Sequence, residues 1–153
     1  MKKLCNAFEW LKLFLLFLIG GCIYFAIEIA YKGDSHFSMF ITGGLAFVLI
    51  GGMGRYGQKP VPLLPRIVLG ALIITLLEFI CGCVVNIWLG LYVWDYSAMP
   101  FNLLGQICLP FTFIWLALTP AAIFLDRFFR RYMFGEEKQS LPLINKRAEI
   151  KAH

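Results

Sequence analysis

Four apolar runs, Leu11 to Tyr31, Met39 to Gly54, Ile67 to Tyr92 and Leu103 to Leu125, occupy most of this chain and leave few folds open to it. A hydrocarbon core about 30 Å thick requires about 20 apolar residues per helical span, which the second run alone fails to reach. The runs are continuously apolar rather than alternating, so they read as helices and not as strands of a transmembrane barrel. The expected fold is all-α: a polytopic membrane protein whose residues 1–135 form a four-transmembrane-helix bundle, with spans near 11–31, 39–54, 67–92 and 103–125. Residues 136–153 read as a basic, flexible cytoplasmic tail. Composition agrees, since 60% apolar residues, 15% charged residues and a mean hydropathy of +0.77 lie well outside the range of soluble domains.

Sidedness follows from lysine and arginine. Lys2, Lys3 and Lys12 precede or open the first run, Arg55, Lys59 and Arg66 lie around the second loop, and Arg127, Arg130 and Arg131 follow the fourth run. The first loop has only Lys32 and the third has no basic residue. The positive-inside rule then places both termini in the cytoplasm and Asp95 outside, in the cytoplasmic membrane of the cell. The net charge of +5 is accounted for by this sidedness and by anionic lipid, so the bilayer and not nucleic acid is the expected partner. The basic segment after Leu125 reads as a solvated juxtamembrane anchor.

Gly43-Gly44 and Gly51-Gly52-Met53-Gly54 make the second run glycine-rich, which suits either close backbone approach between helices or a flexible gate. Ile19-Gly20-Gly21-Cys22 resembles a lipoprotein cleavage box. However, the apolar character continues beyond Cys22 through Ile29, longer than the about 7 to 15 residues of a cleaved signal. The other cysteines, Cys5, Cys81, Cys83 and Cys108, lack metal-ligand spacing, and no metal or other cofactor is expected.

Ionisable groups within the runs are the sharper signal, because a charge at mid-bilayer costs about 2.5–3.5 kcal/mol even on mild scales. Glu78 lies about 18 Å along a helix from Arg66, close to the midplane. Thr75, Glu78, Gly82 and Asn86 recur at steps of three and four and form one polar stripe. Tyr24 and Glu28 pair similarly on the first helix. Asn102 is placed to cap the fourth span, Gln106 lies one turn on, and Pro110 and Pro120 each remove a backbone donor from that helix. The expected constellation is a polar cluster of Glu28, Glu78, Asn86, Asp95, Asn102 and Gln106 in the outer half of the bundle. It serves either a functional cavity or helix register alone.

Trp94-Asp95-Tyr96-Ser97 lies at the interface between the last two spans, with Pro100 preventing continuous helix before Asn102. Together with Gly105 and Ile107-Cys108-Leu109-Pro110, this stretch resembles the signature of the putative type IV ABC-transporter permease family, also described as CmpB-like. Glu28-Ile29-Ala30-Tyr31 and Glu78 with Gly82 are similar to other recurring positions of that family, and the resemblance covers most of residues 21 to 136. The signature residues are Trp94, Asp95, Tyr96, Ser97, Pro100, Asn102 and Gly105. Gln106 departs from the arginine common in that family.

The resemblance implies a membrane permease subunit or transport-associated protein, with an unspecified substrate. The chain has no Gly-x-x-x-x-Gly-Lys-Ser/Thr loop, so an ATPase would be a separate subunit, and four helices would need a homo-oligomer or partner to form a pathway. A non-enzymatic scaffold or accessory protein of a larger envelope complex is the alternative. Enzymatic activity is not expected. Glu78 or Asp95 could act as a base on lipid head groups, but His36 is the only non-terminal histidine and no catalytic set accompanies it.

Overall fold

The computed structural model describes residues 2–53, 55 and 61–136. Four helices carry the fold: α1 (Lys2–Lys32), α2 (Phe37–Met53), α3 (Leu63–Gly82) and α4 (Leu109–Phe134). A π-helical turn over Cys83–Trp88 prolongs α3, and a short antiparallel hairpin of β1 (Asn102–Leu103) and β2 (Ile107–Cys108) precedes α4. Ala7–Lys32, Leu63–Trp88 and Leu109–Phe134 are long and apolar enough to cross a membrane, whereas α2 is shorter. Most residues of the predicted tail, 137–153, and Lys59 of the second loop lie outside the described residues.

The short helix is the one most enclosed by its neighbours. α2 packs against each of the other three helices and buries Met39, Thr42, Gly43, Gly44, Ala46, Phe47, Ile50 and Gly51. With much of its surface covered by protein, its length has less need to match the lipid. Ala46 and Ile50 join Ala71 and Ile74 of α3 and Trp115 and Ile123 of α4 in the core. Large apolar side chains such as Leu72, Leu76, Ile80 and Phe113 point outward, as expected where the surrounding solvent is hydrocarbon.

Close approach of α1 and α2 explains the glycine pairs. A Cβ on Gly44 would stand 2.6 Å from the Phe17 carbonyl oxygen, and one on Gly21 would stand 2.7 Å from that of Phe40. The glycines of the lipobox-like segment thus have a packing role, and α1 runs through Cys22 unbroken. Gly44→Leu should destabilise the bundle by roughly 1–3 kcal/mol through overpacking, read as a lower melting temperature in detergent. An unchanged melting temperature would mean that the two helices do not meet here.

Helix ends differ from the sequence expectation at two places. The helical path of α3 stops by Trp88 and not Tyr92, and α4 starts at Leu109 and not Leu103. Asn102 therefore opens a strand instead of capping a helix. The cause lies in the backbone: Tyr92, Phe101, Leu104 and Gly105 all adopt positive φ, which no right-handed helix contains. Pro110 consequently falls in the first turn of α4, where its missing N–H costs nothing, and only Pro120 is interior. At its other end α4 runs past Leu125 to Phe134 and closes on Gly135, whose N–H donates to the Arg131 carbonyl at 3.1 Å.

The first half of α1 meets the segment that follows α4. Lys12 of α1 reaches Glu136 beyond α4, and Arg66 of α3 reaches the last carbonyls of α2. This terminal end is opposite the end that carries the hairpin.

Candidate functional site

Glu78 sits where α1, α3 and α4 meet and is 2% exposed. Its Oε1 accepts from the Tyr24 hydroxyl at 3.0 Å, and its Oε2 accepts from Trp115 Nε1 at 2.6 Å. The Tyr24 and Trp115 rings stack with centroids 5.7 Å apart, closing an aromatic cover over the carboxylate. Thr75 on the same stripe bonds the Thr112 hydroxyl of α4 at 3.4 Å. Each Glu78 oxygen has its donor in the protein, as a buried polar group requires.

Asn86 organises the hairpin end. Its Oδ1 accepts from Val93 N at 2.7 Å, and its Nδ2 donates to the Trp94 carbonyl at 3.0 Å and to Gln106 Oε1 at 2.8 Å. Gln106 Nε2 donates to the Leu104 carbonyl at 2.9 Å, and Trp94 Nε1 donates to the Gln106 carbonyl at 2.9 Å. Gly82 makes room for this meeting, since a Cβ there would lie 2.5 Å from Gln106 Oε1. The π turn thus presents Asn86 to Val93, Trp94 and Gln106, in keeping with the placement of such turns at special sites.

The signature segment folds on itself. Asp95 Oδ1 accepts from Ser97 N at 2.8 Å and from the Ser97 hydroxyl, forming an Asx turn. Asn102 Nδ2 donates to the Met99 carbonyl at 2.9 Å and the Ser97 carbonyl at 3.1 Å, while its Oδ1 accepts from Gly105 N at 3.2 Å. Tyr96 N donates to the Gly105 carbonyl at 2.8 Å, and the Tyr96 ring stacks on Phe111 at 4.6 Å. Gly105 has φ +67°, and a Cβ on it would come within 2.6 Å of Ser97 Oγ. Pro100 occupies the turn between these partners.

The structure does not gather the six candidate residues into one cluster. Asn86 and Gln106 meet directly, Asp95 and Asn102 share the Ser97 turn, and Glu78 is held apart by Tyr24 and Trp115. Glu28 pairs with Lys32 at 2.6 Å and accepts from the Ser35 hydroxyl near the first loop.

Sequence reasoning missed a layer at the terminal end. Lys12, Arg66, Asp126 and Arg130 are all at most 5% exposed. Arg130 Nε donates to Asp126 Oδ1 at 2.8 Å, and Lys12 Nζ lies 2.5 Å from Glu9 and 2.9 Å from Glu136. Arg55 also pairs with Glu136. Arg66 donates to the Ile50 carbonyl at 2.8 Å and the Gly51 carbonyl at 3.3 Å, satisfying acceptors that the end of α2 leaves open. The expectation of a solvated anchor after Leu125 is therefore corrected for Asp126 and Arg130. Their signal was available: Thr119, Ile123, Asp126 and Arg130 follow one another at three and four residue steps along the buried face of α4.

The Ser97 hydroxyl and backbone N–H hold the exposed Asp95 carboxyl below its usual range. A lowered folded-state value makes the turn's stabilisation complete above the unfolded pKa, and it is lost as pH falls through the folded one. The Asp95 carboxyl carbon should titrate by NMR below the ordinary 3.8 and return towards it in Ser97→Ala. An ordinary midpoint in the unaltered chain would rule out the turn as the cause.

Long apolar helices packed around internal polar layers define a small helical membrane protein. The chain belongs to the family described as "Putative ABC-transporter type IV", which matches residues 15–139. Membership makes it a transport-associated membrane protein. No curated protein and no solved structure matches the chain.

Proposed function

We propose that the protein is a non-enzymatic membrane subunit of a transport system. It spans the cytoplasmic membrane with four helices, keeps both termini in the cytoplasm, and works with further copies of itself or with separate subunits that include the ATPase. The family match over residues 15–139 carries this reading, and the closure of the Glu78 site shapes it. A carboxylate 2% exposed, with Tyr24 and Trp115 on its two oxygens, offers no aqueous path along the polar stripe of a single bundle. The route for a substrate then belongs at an interface between subunits. Sidedness rests on Lys12, Arg55, Arg127 and Arg131 at the terminal end and on the lack of any basic residue in 93–102 at the opposite one.

This reading assigns no enzymatic activity to the chain: Glu78 serves as acceptor for the Tyr24 hydroxyl and the Trp115 N–H, and Asp95 Oδ1 for Ser97. The same geometry favours a second reading, a scaffold or accessory protein of an envelope complex, in which the paired groups serve helix register alone. Cross-linking in native membranes followed by purification of the full chain separates the two. An ATPase recovered with it supports the transport subunit. Recovery of envelope proteins without an ATPase, with uptake unchanged when the gene is deleted, would replace that reading with the scaffold.

A further inference from the structure

A cavity of about 440 Å³ opens beside α4 at the terminal end of the bundle. This volume lies within the range of ligand sites, about 300–1,000 Å³. Its lining divides by chemistry. Leu63, Pro120, Ile123, Phe124 and Phe128 make an apolar wall along the helix. Arg55, Arg127, Arg130 and Arg131 also line it, so among the described residues four guanidinium groups and two carboxylates, Asp126 and Glu136, face the cavity. Phe124 and Tyr132 in the lining are 67% and 71% exposed, which places the opening on the flank of the bundle.

We propose that this cavity binds the phosphate head group of an anionic phospholipid, with Arg127 and Arg131 on the phosphate and an acyl chain along Phe124 and Phe128. Guanidinium groups match phosphate oxygens in pairs, which suits a phosphodiester better than a zwitterionic head group whose own cation cancels the attraction. The cytoplasmic leaflet, where the positive-inside rule puts this end of the molecule, is the one rich in anionic lipid. A soluble phosphate compound would share the head-group chemistry but would leave the apolar wall uncovered. The inference rests on membrane placement and not on transport, so it stands or falls separately from the identity of any partner.

The test uses the full chain in neutral detergent, titrated with phosphatidylglycerol, phosphatidylcholine or inorganic phosphate while its melting temperature is followed. Phosphatidylglycerol is expected to raise the melting temperature, phosphatidylcholine to leave it nearly unchanged, and inorganic phosphate to have little effect. Arg127→Gln/Arg131→Gln should weaken the apparent affinity for phosphatidylglycerol about thirtyfold, and Arg127→Lys/Arg131→Lys, which keeps the charge but not the paired contacts, should lose only part of it. Should the glutamine variant fail to fold, Phe124→Ser carries the test through the apolar wall, with a several-fold loss expected. Equal responses to the two lipids, or an undiminished response in the glutamine variant or in its Phe124→Ser substitute, would overturn the proposal. A response to inorganic phosphate matching that to phosphatidylglycerol would overturn the lipid assignment and leave a soluble phosphate site in its place.

Discussion

Arg130→Ala is expected to destabilise the bundle by about 3 kcal/mol, at the lower end of what removing one partner of a buried ion pair costs. The substitution leaves the Asp126 carboxylate, 2% exposed, without the guanidinium that donates to it at 2.8 Å. Arg66 also acts on Asp126 electrostatically, and that residual attraction is why the loss stays at the lower end of the range. Gly51 has no side chain where Asp126 approaches, so the carboxylate has little room to swing towards water without disturbing α2. Asp126→Asn/Arg130→Met should recover much of the loss, because it removes the buried charge together with its partner. Melting or denaturant unfolding in detergent of Asp126→Asn, Arg130→Met and the double gives the coupling directly. Additive effects would show that the pair does not act as a unit, and an unchanged melting temperature in Arg130→Ala would refute its structural role.

The helices were legible because a continuous apolar run of about 20 residues admits few other structures in lipid. Their ends were not. Phe101 and Leu104 take positive φ although neither is glycine, and hydropathy carries no trace of that choice. Leu103 to Cys108 looks like the start of a span, yet it forms the hairpin that Asn102 and Gly105 hold shut. The extension of α4 was hidden for the opposite reason. Charge after an apolar run suggests water, and only the three and four residue steps from Thr119 to Arg130 reveal that part of this charge faces protein.

The signature was legible as a pattern, and the geometry gives it a physical meaning. Asp95, Ser97, Asn102 and Gly105 hold one turn, while Trp94 and Gln106 tie that turn to Asn86 on the π segment. A motif whose polar atoms are spent on each other builds a rigid cap on the bundle. Gln106 suits the same account, because an amide can accept from Asn86 and donate to Leu104 at once, whereas a guanidinium could only donate. Beneath that cap α1, α3 and α4 close around the Glu78 carboxyl group.

Glu78→Ala is expected to cost about 2–5 kcal/mol, since it leaves the Tyr24 hydroxyl and the Trp115 N–H buried without their acceptor and opens a void between three helices. Glu78→Gln should cost less, about 1–2 kcal/mol, because one isosteric arrangement keeps both contacts while leaving the Tyr24 O–H hydrogen and one amide hydrogen without an acceptor. The Trp115 N–H can only donate, so it takes the amide oxygen. The Tyr24 hydroxyl can turn to accept from the amide nitrogen. The glutamine variant therefore separates pairing from charge: melting in detergent reads the first, and activity of the assembled system reads the second. Activity preserved in Glu78→Gln supports a register role, and activity lost with full stability would assign Glu78 a proton-carrying one. A glutamine variant that melts as early as the alanine variant would show that the charge itself, and not the two donors, holds these helices together.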